Sequence, residues 1–193
     1  MTKDRKMTTD RKVTTNSKKG WIRLFFLFLT GSLVGWIYEV TLGFIYGYGF
    51  VNRGFLYGPY LPIYGFGLIL LYLMLQRLMN KPIKVKNIKI NPILVFLGII
   101  VITTCLEFIV GFGMLKIFQI RLWDYSSYWM NYQGIISFNT SIRFGIGGML
   151  LLYALVPLVN KIVNRISLEK LKVIRFIVLA VMIIDTLVTV VNG

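Results

Sequence analysis

Three acidic residues stand inside runs that are otherwise apolar: Glu39 in GWIYEV (35–40), Glu107 in LEFIVG (106–111) and Asp185 in MIIDTLV (182–188). An ionised carboxylate in hydrocarbon is costly unless it is paired or hydrated, so these groups are expected to face a bundle interior or a water-filled cavity. Arg53 and Arg121, each 14 positions after one of the glutamates, are the candidate partners. Two readings stay open. The Glu–Arg pairs are structural bridges that tie a helix to its loop, or Glu39, Glu107, Arg53, Arg121, Tyr57 and Tyr125 line a ligand pocket. A proton-coupling role for the same carboxylates is a further reading. No histidine is present, which removes the commonest acid/base and metal-binding side chain.

The two glutamates belong to an internal repeat. Placing each residue beside the one 68 positions later pairs Glu39 with Glu107, Gly43 with Gly111, Phe44 with Phe112 and Phe50 with Phe118. Without a gap it then pairs Arg53 with Arg121, Tyr57 with Tyr125, Tyr60 with Tyr128 and Tyr64 with Tyr132. Each unit therefore reads Glu-x3-Gly followed, ten residues after the Gly, by an Arg.

The elements that must position these residues are membrane spans. The chain of 193 residues is 56% hydrophobic, with a mean hydropathy of +0.72, more apolar than soluble domains at roughly 45–50%. Apolar runs at about 21–46, 60–78, 92–115, 140–163 and 173–191 each approach the ~20 residues that a bilayer requires. The fold class is thus all-α and polytopic, with about five transmembrane helices, a parallel two-helix repeat and a fifth helix outside it. Residues 1–20 read as a basic disordered tail, 21–163 as the repeat region and 164–193 as an additional C-terminal helix.

The net charge of +15 does not read as a nucleic-acid surface, because Lys and Arg fall between the apolar runs. They are dense in the tail, in the second connection (Arg77, Lys81, Lys84, Lys86, Lys89) and in the fourth (Lys161, Arg165, Lys170, Lys172). That alternation predicts a cytosolic N-terminus, an external C-terminus and contact with anionic membrane lipids. Glu39 and Glu107 then lie roughly 20–27 Å from the cytosolic ends of their helices at 1.5 Å per residue, in the outer half of the bilayer. The third loop, 116–139, faces outward; its Trp123, Tyr125, Tyr128, Trp129 and Tyr132 suit either the headgroup interface or a ligand. Gly and Pro in GFVNRGFLYGPYLPIYGFG (49–67) predict backbone that dips irregularly before the second helix starts, tolerated at membrane depth only against protein or water. Gly31, Ser32 and Gly35, and Gly145, Gly147 and Gly148, are expected at close helix contacts. Cys105 is the single cysteine, so no intrachain disulfide forms.

GWIYEV, VNRGFLYGPYLPIYGFG (51–67), LEFIVG, RLWDYS (121–126), Asn131 with Gly134, and SIRFG (141–145) resemble the CmpB-like family of bacterial membrane proteins, catalogued as putative ABC-transporter type IV permeases. The resemblance covers about 24–160. It singles out Glu39, Asn52, Arg53, Gly54, Tyr57, Gly58, Pro59, Glu107, Trp123, Asp124, Tyr125, Asn131 and Gly134 as motif positions. It departs after Gly134, where Ile135 and Ser137 stand in place of the family's Arg and Cys. What it implies is a permease-like protein of the bacterial cytoplasmic membrane; no cofactor and no metal are expected from the residues.

A permease needs an ATPase, and no G-x4-GK[ST] phosphate loop occurs in the chain, so the implied partner is a separate ATPase subunit. Residues 161–172 are the candidate coupling helix for it. Five helices are few for a pathway, which points to a homo-oligomer. The alternatives are a ligand- or lipid-binding accessory membrane protein that transports nothing itself, and a lipid-modifying enzyme in which Glu39, Glu107, Asp124 and Asp185 hold a divalent cation.

Overall fold

The computed structural model describes residues 3–81, 83–85 and 88–192, and the side chains among them outside 3–18 and residue 88. Lys86 of the second basic connection and the first two residues of the tail lie outside the described residues. Five helical segments are long and apolar enough to cross a membrane: Lys19–Ile45, Pro62–Asn80, Asn91–Phe118, Phe138–Arg165 and Leu168–Asn192. Each lies within about five residues of the run expected from hydropathy.

The first span is the upper part of α1 (Lys3–Ile45), α2 is Pro62–Asn80 and α3 is Asn91–Phe118. The fourth is α4 (Phe138–Leu150), a π-helical turn (Leu151–Leu155) and α5 (Val156–Arg165) in succession, and the fifth is α6 (Leu168–Asn192). Two departures from expectation stand out. The backbone is helical from Lys3, so the basic segment continues the first span as helix; once a helix is nucleated, extending it costs little per residue even where no apolar face exists. Residues 161–172 do not make a separate coupling helix. They split into the last turn of α5 and the first turn of α6, divided at Ile166, whose backbone is extended (φ −92°, ψ 141°). The π-helical turn immediately precedes Pro157, which has no N–H and whose ring presses on the carbonyl four residues back, so the helix widens there.

The chain divides into two compact units. The first holds residues up to Ile69 and from Leu155 onward; the second runs from Leu70 to Ala154. Lipid tails are as apolar as leucine, so close packing and polar contacts, more than hydrophobic burial, decide which helix faces which. In the first unit α1 packs on α5 and α6 and meets the start of α2 at a glycine crossing. Gly31 faces the Tyr64 carbonyl and Gly65, and Gly65 faces Ser32 and Phe28. Val156, Val159 and Val163 form one buried stripe on α5. Helix α6 buries only Leu171 and Thr189 among its described residues, leaving apolar side chains on most of its surface.

In the second unit α3 packs against α4, where Gly145 faces Phe96 and Ile100, and Gly148 faces Ile99. Gly147 meets nothing within 4 Å, so the packing role expected of it falls to its two neighbours. Asn91 joins α3 to the end of α2. Buried to 6% exposure, it donates to the carbonyls of Leu78 (2.5 Å) and Lys81 (2.6 Å) and accepts the Ile83 N–H (2.7 Å). One amide thus satisfies backbone groups that the end of α2 leaves open. The hairpin it anchors pairs β1 (Lys84–Val85) with β2 (Ile88–Lys89).

Candidate functional site

The first unit builds its polar cluster on a descending loop. After α1 ends, Gly47 and Gly49 take left-handed backbone (φ +79° and +68°), and the chain turns back along the helix it has just left. By Leu61 it has reached Ser32, whose carbonyl accepts the Leu61 N–H at 2.9 Å. Ser32 lies 13 residues before the end of α1, about 20 Å along its axis. The irregular descent expected from the Gly and Pro content is therefore present. Its side-chain anchor is Asn52, which accepts the Trp36 indole N–H (2.7 Å) and donates to the carbonyl of Tyr57 (3.0 Å).

Two carboxylates meet this loop and the first turn of α2. Asp185 of α6 accepts the backbone N–H of Tyr57 (3.1 Å) on one oxygen, and the N–H of Gly58 (3.0 Å) with the Tyr60 hydroxyl on the other. Glu39 accepts the Tyr64 hydroxyl. Tyr60 and Tyr64, four residues apart, thus hold carboxylates from α6 and α1. Arg53 lies against α1 over Gly43, where its guanidinium would come within 3.6 Å of an added Cβ. It stands 5.9 Å over the Tyr48 ring, and its Nε is buried without a hydrogen-bond partner.

The second unit holds Glu107, Arg121, Trp123, Asp124, Tyr125 and Asn131. Glu107 accepts the Tyr125 hydroxyl at 3.0 Å, and its other oxygen is buried with no partner. The 119–137 connection is knotted around Gly134 (φ +68°), where an added Cβ would strike Asp124 Oδ1, Ser126 Oγ and Arg121 Nη1. Only glycine admits that convergence. Arg121 donates to Asp124 (3.2 Å) and to the Gln133 carbonyl (3.3 Å), while Asn131 donates to the Ser126 and Tyr128 carbonyls and accepts the Gly134 N–H. The Ser126 hydroxyl and N–H, aided by the Arg121 charge, hold the Asp124 carboxyl below its ordinary range. Trp123 donates to the Ile135 carbonyl (2.7 Å), and its ring stacks on Tyr125, which stacks on Tyr128, with the Arg143 guanidinium 5.6 Å over Tyr128.

The partners differ from those the spacing suggested. Arg121 pairs with Asp124 and Lys172 with Glu169, while Glu39 and Glu107 each receive a tyrosine hydroxyl. Of the residues pictured in one pocket, Glu39, Arg53 and Tyr57 lie in the first unit, and Glu107, Arg121 and Tyr125 in the second. No group of three or more His, Cys, Asp or Glu suited to a metal ion occurs among the described residues. Ile135 and Ser137 have structural roles. Ile135 is buried against Gly111, and Ser137 caps α4 by accepting the Thr140 N–H.

Residues 26–190 match the family described as "Putative ABC-transporter type IV". The chain belongs to that family. As a member of ABC-transporter type IV with five helices able to cross a membrane, it is a multi-pass, transporter-related membrane protein. The match runs through Val190, so α6, which the motif resemblance left outside, falls within it, and with it Asp185. No curated protein and no solved structure matches the chain. Trp36 and Tyr64 lie in the segments that carry the type IV resemblance, yet their roles were not read from sequence. Tyr60 precedes α2 and Tyr64 lies in its first turn, so no helical spacing in the sequence pointed to their two carboxylates.

Proposed function

We propose that this chain is the permease-like membrane component of a transporter whose ATPase is a separate subunit, that its N-terminus is cytosolic, and that it meets its ligand from the outer side of a bacterial cytoplasmic membrane. The observation that carries this reading is the descending loop of the first unit. It is irregular backbone about 20 Å below the end of α1, bonded to Ser32, Asn52 and Asp185. Backbone of this kind at membrane depth is characteristic of transporters, where it lines a binding site or pathway. Glu39, Asn52, Arg53, Tyr57 and Asp185 are the ligand-facing candidates of this cluster, and Glu107, Arg121, Trp123, Asp124, Tyr125 and Asn131 those of the second.

The alternation of Lys and Arg between the connections supports the orientation. The apolar faces left open on α6 suit lipid or a second copy of the chain. The decisive experiment purifies the tagged chain at native expression, identifies any nucleotide-binding subunit that accompanies it, and reconstitutes the assembly in vesicles. ATP-dependent movement of solute that needs both components is the expected result. Repeated purifications that recover no nucleotide-binding subunit would sink the permease reading and favour a binding protein that transports nothing itself.

A further inference from the structure

We infer that residues 57–60 form a receptor for a carboxylate, that Asp185 is its resident occupant, and that a carboxylate ligand arriving at the loop competes with Asp185 for it. As the substrate class of the site proposed above, this rests on that reading; the receptor itself does not, and the experiment below reads the receptor.

The surroundings of Asp185 are all donors. Both oxygens are engaged, by two consecutive backbone N–H groups and a phenol, and an ionised carboxylate is the side-chain group that only accepts. Among the described residues no Lys or Arg pairs with it. The attraction therefore comes from two adjacent backbone N–H groups and the Tyr60 hydroxyl, with the Thr189 hydroxyl one turn along α6 adding to it. Glu39 and Glu107 accept tyrosine hydroxyls. Gly58 contributes by lacking a side chain, since an added Cβ would run into the Tyr60 ring.

The cradle is shaped without Asp185. Trp36 holds Asn52, Asn52 holds the Tyr57 carbonyl, the Tyr60 N–H closes onto the Gly58 carbonyl (2.8 Å), and the Leu61 N–H bonds Ser32. These contacts tie the loop to α1 and to itself. The occupant, in contrast, is carried on α6, whose only buried side chains among its described residues are Leu171 and Thr189. Tyr57 is 62% exposed, so the cradle is open to an incoming group. A receptor built by α1 and the loop, an occupant carried on a separate helix and an exposed entrance together favour exchange over a fixed cap. Planar carboxylates fit two adjacent N–H groups; chloride offers no such pair of acceptors.

The test follows amide hydrogen exchange at Tyr57 and Gly58 in the full chain, embedded in phosphatidylcholine nanodiscs. Asp185→Ala is expected to speed exchange roughly tenfold to a hundredfold, the effect of losing a charge-assisted hydrogen bond. Acetate in the aqueous phase or oleate in the bilayer then restores protection, and whichever acts tells whether the ligand comes from water or from lipid. Chloride at matched ionic strength does not. Should Asp185→Ala fail to fold, Asp185→Asn serves, because its amide is a poorer acceptor that a carboxylate displaces. Exchange unchanged by removal of Asp185, or protection that neither carboxylate restores beyond chloride, overturns the inference whatever the transport assays show.

Discussion

The glycine crossing of α1 and α2 gives the sharpest test of how this fold is held. Replacing Gly65 with alanine would place a Cβ within 2.5 Å of the Phe28 carbonyl oxygen and 2.6 Å of the Phe28 ring, and onto Ser32 Oγ. A ring can turn, but a helix carbonyl cannot, so α2 must shift outward. Overpacking of this kind costs about 1–3 kcal/mol. The shift also strains the Leu61–Ser32 and Tyr64–Glu39 hydrogen bonds, at about 0.5–1.5 kcal/mol each. The sum is about 2–6 kcal/mol, or a fall in Tm of roughly 4–24 °C at about 2–4 °C per kcal/mol for a chain of this size. Gly67, on the same helix two residues on, meets nothing within 4 Å, so Gly67→Ala is expected to be neutral or to gain up to about 1 kcal/mol from helix propensity. Thermal unfolding of both variants in one detergent, followed by circular dichroism, makes the comparison. Equal melting temperatures for the two would refute the crossing as the contact that seats α2.

Removing the Asn91 amide with Asn91→Ala leaves the Leu78 and Lys81 carbonyls and the Ile83 N–H to water, and is expected to cost about 1–3 kcal/mol in the same melts. Glu107→Gln keeps an acceptor for Tyr125 but removes the charge; vesicle transport should fall while the melting temperature holds, and unchanged transport would exclude a role for that charge. The Asp124 carboxyl is lowered in the folded protein, so its contribution to loop order is present above the unfolded value of about 4 and is lost as pH falls through the lower folded value. Trp fluorescence should report that acid step, and Asp124→Asn should abolish it. Once Cys105 has been replaced, a cysteine at position 123 is expected to react with an impermeant maleimide added outside intact cells; labelling only after lysis would reverse the proposed orientation.

Span positions were legible because hydropathy and length suffice for them, and the descending loop was legible because Gly and Pro at a helix start leave few alternatives. Side-chain partners were not. The repeat set Arg53 and Arg121 opposite their glutamates, yet α2 starts at Pro62 while α4 starts at Phe138, eight positions later than an offset of 68 would put it. Tyr64 therefore sits in the first turn of a helix, and its counterpart Tyr132 in the short strand β3 (Asn131–Tyr132). Glu39 takes the hydroxyl of Tyr64, whereas Glu107 takes that of Tyr125. A one-dimensional register cannot show where a loop spends its extra residues. Nor could it show that Asp185 meets residues more than 120 positions earlier, since no local pattern encodes such a contact.

That long separation bears on how the protein is made. The loop emerges from the ribosome more than 120 residues before the acceptor for its Tyr57 and Gly58 N–H groups. Until Asp185 is made those two N–H groups lack this acceptor and are left to water, even though Asn52 and Ser32 already tie the loop to α1. The last acceptor of the loop is therefore missing until residue 185 has been synthesised, and a chain halted before it should leave the Tyr57–Gly58 segment more open to added protease than the full chain.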